Sequence, residues 1–204
     1  MAEIRGGAAI AALRPTQMTV GMIAVQRRID KLSARREAGT LAAYLQREPV
    51  PCAVGPGGVL YMIDHHHLVR ALDIMGVEAC FVSIEHDLTD LAPQHFWAEM
   101  EHLGLCYPYD ADGMRQPFSA MPGHIRDCGD NPWRSLARFA RGGDGFKKTD
   151  VPFAEFLWAD YFRQFLRPKL LATDWQAAIE VAQRLTRLSA AADLPGYESD
   201  GKDD

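Results

Sequence analysis

Three consecutive histidines, His65, His66 and His67, stand in the stretch YMIDHHHLVRAL, with Asp64 before them and Arg70 one helical turn beyond His66. Imidazoles near neutral pH serve as acid–base groups, metal ligands or hydrogen-bond partners. The spacing narrows these roles. A β-rich run ending at Ile63-Asp64 hands over to a helical pattern that starts near His66, with Leu68, Ala71, Leu72 and Met75 on its apolar face. The first backbone N–H groups of such a helix lack partners within it and favour an anion. Asp64 suits an N-cap or turn position.

Three readings of the cluster stay open. In the first, a small anion or phosphate sits at the turn from His65 to Arg70. His66 or His67 is then the acid/base or hydrogen-bond donor, assisted by Asp64, and Arg70 is the counter-charge. In the second, the cluster holds a transition metal or haem. Zinc ligands must converge to about 2.0–2.2 Å of one ion, and neighbours on a helix point about 100° apart. His65 with His67, or one histidine with a distant carboxylate, is therefore the metal pair. No HExxH or paired-cysteine pattern accompanies it. In the third, the histidines satisfy local hydrogen bonds in a turn.

Other residues of suitable chemistry are scattered. Arg14 and Gln17, in LRPTQ, are ligand-binding candidates; the alternative there is a turn capped by Thr16. Glu48 is a candidate base or a solvated loop acid. Residues 104–132 supply Asp110, Asp112, His124, Arg126, Asp127 and Asp130. From that region and the helix after it, His124 and Arg134 are taken as ligand-binding. No GxSxG, P-loop, GxGxxG or kinase signature occurs. The four cysteines form no CxxC pair, which excludes a zinc ribbon or redox dithiol and suits buried thiols in a reducing cytoplasm.

The elements that must position these groups follow from periodicity. Residues 18–38 read as a helix capped by Thr19, with Val20, Ile23, Ala24, Ile29 and Leu32 apolar. Its Arg27, Arg28, Lys31, Arg35 and Arg36 form a solvated basic face. A short helix over 41–46 precedes Pro49. Residues 50–54 and 59–63 read as a hairpin around Gly-Pro-Gly-Gly, followed by the helix over 66–75, a stop at Gly76 and a strand over 78–84. Residues 93–103 are helical, with Phe96, Met100 and Leu103 inward. Beyond the Pro-, Gly- and Asp-rich segment 104–132, helices are expected over 133–141, 152–167 and 174–192. The middle one carries a core stripe of Phe153, Phe156, Trp158, Tyr161, Phe162 and Phe165.

This order predicts an α/β (α+β) domain with a small mixed sheet over residues 1–104. A loop and helical C-terminal subdomain over 105–193 and a disordered acidic tail over 194–204 complete the chain. At 204 residues the chain is long enough for a sizeable core. A formal net charge of −5 lacks the footprint of a nonspecific duplex-DNA binder. No run approaches the ~20 apolar residues of a membrane span. The Ala-rich N-terminus carries Glu3 and no long apolar region, so it reads as mature chain of a cytoplasmic protein.

The stretch VPCAVGPGGVLYMIDHHHLVRALDIMG resembles the central motif of the ParB/sulfiredoxin superfamily, and more closely that of the ParB-like nuclease subfamily. LRPTQMTVG resembles the first box of that subfamily. DNPWRSLARFARGGDGFKKTDVPFAEFLWADYFR resembles its helical C-terminal portion. The resemblance covers roughly residues 10–167. It implies a compact domain whose strand-to-helix turn binds nucleotide phosphates: CTP in chromosome-partitioning proteins, ATP in sulfiredoxin, ADP or ATP in free-serine kinases. It also places the first box against the same cleft. The Gly-Glu-Arg-Arg-x-Arg-Ala box of partitioning proteins falls on residues 65–71, where Arg70 and Ala71 match. The Gly-His-His-Arg form of the serine kinases falls on residues 65–68, where His66 and His67 match. The turn glycine is replaced by His65, a phosphate arginine by Leu68, and the sulfiredoxin cysteine by His66, which excludes that chemistry.

The expectation is thus a small-molecule enzyme holding an anionic or phosphate-bearing ligand, such as ATP, ADP or CTP with magnesium. A metal- or haem-dependent enzyme, a ParB-like nuclease and a non-catalytic regulatory module are the alternatives. No helix-turn-helix pattern supports sequence-specific DNA binding.

Overall fold

A computed structural model describes residues 5–141 and 145–199. The chain divides into two compact units between Asp130 and Asn131. The first is the mixed α/β domain expected. Its sheet has five strands: β1 (Arg5–Ala9), β2 (Arg14–Pro15), β4 (Val50–Val54), β5 (Leu60–Met62) and β6 (Ala79–Asp87). They lie in the order β1-β6-β4-β5-β2. β4 and β5 form the expected antiparallel hairpin, and β1 joins β6 antiparallel. β4–β6 and β5–β2 are parallel, and β4 is bulged against β6 between Cys52 and Ala53. At the hairpin turn, a Cβ on Gly55 would come within 2.7 Å of the Tyr61 and Phe96 rings, so only glycine fits there.

A second, two-stranded ladder pairs β3 (Thr19–Val20) in parallel with β7 (Gly129–Asp130). It corrects the expected start of the first helix. Thr19 is in the ladder, not at a cap, and α1 runs Met22–Glu37. The Asp130 carboxylate accepts from Met22 N at 2.9 Å and closes that end of α1. Val25 and Leu32 are buried on α1, whereas Ile23 is exposed. α2 (Leu41–Arg47) and α3 (His66–Ile74) follow. The N-cap of α3 is His65, not Asp64. α4 (Pro93–His102) buries Phe96 and Met100, while Leu103, expected inward, lies just past its end and is exposed.

Residues 105–130 belong with the first unit, so the compact units part further along than the 104/105 boundary that composition suggested. The reason is backbone pairing and burial. Tyr107 N donates to Thr16 O at 2.8 Å, Gly129 N donates to Met18 O at 3.0 Å, and Ile125 and Cys128 are buried in the core around α3.

The second unit is helical: α5 (Pro132–Ala140), α6 (Ala154–Phe165), α7 (Pro168–Thr173) and α8 (Trp175–Leu185). The expected 174–192 helix stops at Leu185, and α7 was not expected. Pro168 opens α7, and Asp174 ends it while capping α8 through Ala177 N at 3.0 Å. The aromatic stripe is core: Phe156, Trp158, Tyr161 and Phe162 are buried, with Phe165 exposed. Residues 194–199 do not stand apart from this core. Leu194 and Tyr197 pack against it, Trp158 Nε1 donates to Pro195 O at 2.8 Å, and Lys147 N donates to Gly196 O at 2.8 Å. The rest of the expected disordered tail, residues 200–204, lies outside the described residues, as do residues 1–4 at the N-terminus. Among the described residues, no helix is long and apolar enough to cross a membrane.

Candidate functional site

The strand-to-helix turn is real, and its backbone answers what replaces the superfamily's glycine. His65 adopts φ 65°, ψ 18°, the left-handed conformation that a glycine takes without strain. Histidine tolerates this region better than most residues, and non-glycine outliers of this kind concentrate at functional sites. Asp64 Oδ1 accepts from His65 N at 2.6 Å and holds the bend. The His65 side chain makes no capping bond to α3. Its Nε2 lies 3.6 Å from Glu48 Oε2 and its Nδ1 lies 3.8 Å from Asp64 Oδ2. The ring thus stands between two carboxylates on different segments, beside the start of α3.

His66 and His67 turn the other way chemically. His66 is buried, and its Nε2 accepts from Thr16 N at 3.1 Å. Thr16 Oγ1 in turn donates to Met62 O at 2.9 Å. His67 Nε2 accepts from Gly21 N at 3.0 Å. Each of these bonds requires an unprotonated Nε2, so in the neutral ring the proton is on Nδ1. The two adjacent histidines therefore fasten the first box, residues 16–21, onto the start of α3. That segment reaches the turn because β2 pairs with β5 in the register Arg14 to Tyr61 and Pro15 to Met62.

The arginine candidates meet in a second group along α3. Arg70 Nη1 donates to Asp73 Oδ2 at 2.8 Å, and Arg126 Nη2 donates to Asp73 Oδ1 at 2.9 Å. Arg126 also donates from its backbone N and its Nε to His124 Nδ1, at 3.1 and 3.2 Å. Arg14 Nη1 donates to Gly123 O. Arg14, Arg70 and His124 are thus brought together, through Gly123, Arg126 and Asp73. The group has three guanidinium charges against one carboxylate, and Arg14 and Arg126 are exposed. Gln17 is buried, with its backbone bridged to Tyr107 and its carbonyl accepting from Cys128 Sγ at 3.4 Å. Arg134 belongs to the second unit, where it pairs with Glu155. In the loop, the Asp110 carboxylate is taken by Asp112 N, Met114 N and Gln116 Nε2, which gives it a structural place.

Asp73 was missed by sequence reasoning, although its position three residues after Arg70 is a helical ion-pair spacing. The expected metal pair, His65 and His67, is divided: one imidazole faces carboxylates and the other accepts from Gly21. Among the described residues, no group of three or more His, Cys, Asp or Glu is placed to hold a metal ion. The thiols are not nucleophiles. Burial pushes Cys128 up to about 12, offset in part by Arg70 and reinforced by Asp127. Burial likewise pushes Cys52 and Cys106 up to about 12, and Cys80 to about 11.

Comparison with known proteins identifies the family and a similar fold. The family described as "Putative ParB-like nuclease" matches residues 7–164. The crystal structure of protein Atu1540 from Agrobacterium tumefaciens is similar at a TM-score of 0.88 and 36% sequence identity, over 97% of this chain and 99% of that one. No curated protein matches the chain.

Proposed function

This chain belongs to the ParB-like nuclease family, and from that premise we propose that it binds a phosphate-bearing ligand, a nucleoside di- or triphosphate, at the turn that opens α3. The observation that carries the reading is the left-handed N-cap at His65. It keeps the turn conformation of a phosphate-binding glycine while setting an imidazole where the ligand would lie. The helix start offers backbone N–H groups and the positive end of the dipole. Arg14 and Arg126 add surplus positive charge along the same helix, and Arg70 contributes through its pairing with Asp73.

In this reading His65 moves the proton, with Glu48 and Asp64 orienting its ring. His66 and His67, the acid–base candidates of the sequence, act as positioning residues for the first box. Asp64 is exposed and offers the hard oxygen that a magnesium ion carried by the nucleotide would take. Calorimetry with ATP, ADP and CTP, with and without magnesium, tests the proposal. Saturable binding that survives in His65→Gly, which keeps the left-handed turn, and is lost in His65→Val, which resists it, supports the proposal; no heat with any of the three at millimolar ligand removes the nucleotide reading.

A second reading, hydrolysis of a phosphodiester, is favoured by the Glu48–His65–Asp64 arrangement, since a ring between carboxylates suits a general base. Incubation with single- and double-stranded DNA in magnesium or manganese decides it. Cleavage abolished by His65→Gly is expected, and intact DNA after long incubation overturns it.

A further inference from the structure

The second unit carries a charge arrangement that the turn does not explain. Arg134, Arg138 and Arg141 recur at intervals of four and three residues along α5 and its C-cap, so they share one face. All three reach one carboxylate, that of Glu155 in the first turn of α6. Arg134 Nη1 pairs with Oε2. Arg138 Nη1 and Arg141 Nη1 both approach Oε1, at 3.3 and 2.6 Å. Among the described residues, one carboxylate thus serves three guanidiniums.

The three arginines are not equivalent. Arg134 is nearly buried, with its guanidinium 4.9 Å from the centre of the Phe156 ring, which marks it as packing. Arg138 and Arg141 keep side-chain exposures of 45% and 23%. Among the described residues, neither has another hydrogen-bond or ion-pair partner than Glu155. Each therefore retains Nε and a second Nη for an outside acceptor. Because both are anchored on the same oxygen, the two guanidiniums are held side by side without the entropy that two loose arginines would lose on binding.

We propose that Arg138 and Arg141, held on Glu155, form a fork that binds a phosphate group. Planar guanidiniums match the oxygens of a phosphate in paired hydrogen bonds, and two of them held on one carboxylate oxygen present their remaining N–H groups together to a tetrahedral anion. Net charge does not oppose this. Residues 131–204 hold eleven Lys and Arg against eleven Asp and Glu, so the whole net charge of −5 resides in residues 1–130. The source of the phosphate group is either a free phosphate or a nucleic-acid backbone, and the fork is independent of the proposal for α3.

The test uses the full chain, a fluorescent single-stranded oligonucleotide, a mixed-sequence duplex and inorganic phosphate, with anisotropy followed over a salt series. Arg138→Gln is the first variant, since an exposed side chain can be removed without unfolding. The Arg138→Gln, Arg141→Gln double variant follows, checked by circular dichroism. The expected result is salt-sensitive binding whose logarithmic salt slope falls by roughly one in Arg138→Gln. A further drop is expected in the double variant, with Lys169→Gln, an exposed position on α7, behaving as the wild type. Displacement of the oligonucleotide by millimolar phosphate supports a site for the free anion; resistance to phosphate with loss in high salt supports a polymer backbone. The proposal is overturned if the wild type binds neither probe, or if Arg138→Gln leaves affinity and slope unchanged.

Discussion

In the first unit, polar groups join the apolar core in fastening segments far apart in sequence. His66, Thr16 and Thr19 are buried, and His66 and His67 tie α3 to residues 50 and 46 positions earlier. In the second unit, fastening is left to rings. Phe146 stacks on Trp158 at 4.4 Å, Trp158 meets Tyr161 and Phe162 at 5.7 Å, and Arg134 of the cluster around Glu155 lies over the buried Phe156 ring. The contrast teaches how far residue type is a guide to role. Where packing is aromatic, a charged group can join the packing, as Arg134 does over Phe156, or reach toward solvent, as Arg138 does. Where a buried histidine holds a backbone amide, the residue type that suggests chemistry is already occupied by structure.

A set of substitutions at four positions and one thiol treatment sharpen that contrast. The largest effect is expected for Trp158→Ala, which empties the ring stack and should cost about 3–5 kcal/mol in denaturant unfolding; a loss below about 1 kcal/mol would show that rings do not hold this unit. Next is His66→Ala, expected to cost roughly 2–4 kcal/mol, because the buried Thr16 N–H loses its acceptor and a cavity opens. The half-buried His67→Ala should cost less, roughly 1–2 kcal/mol. If the order of the two histidines is reversed, His66 is not the principal fastener. His65→Gly removes left-handed strain but loosens the unfolded chain, so its net effect should stay within about 1 kcal/mol, whereas His65→Val should be clearly worse.

The smallest effect at neutral pH concerns the thiols. Their ordinary value of 9.0 rises to about 12 for Cys52, Cys106 and Cys128 on folding. The folded state therefore holds these protons more tightly than the unfolded one. Their contribution is complete below pH 9 and is lost as pH rises from 9 toward 12. A thiol reagent at pH 8 should react with none of the four until denaturant is added; prompt reaction would contradict their burial.

Much of the first unit was legible locally. The hairpin, the α3 helix with its Leu68, Ala71 and Leu72 face, and the turn before it all rest on neighbours within a few residues. What escaped depends on distance along the chain. Nothing near His66 announces Thr16 as its partner, and nothing near Thr19 announces Gly129. The loop composition of residues 105–130 hid that Ile125 and Cys128 are core. In the second unit, Arg134 drew notice by type, but Glu155, which defines its surroundings, lies beyond a long connection, and nothing in the sequence marks it from Asp160 on the same aromatic helix.

The sheet order has a consequence for how the protein is made. Among the described residues, β1 pairs only with β6, and β2 pairs only with β5. The residues between them and α1 lean on His66, His67, Tyr107 and Gly129. Residues 5–20 must therefore wait for partners that follow them in sequence, at residues 61–62 for β2, 79–83 for β1 and 129–130 for β3, so non-local closure should set the folding rate of this unit. During that wait an early-emerging strand with open edges is the part most in need of a chaperone.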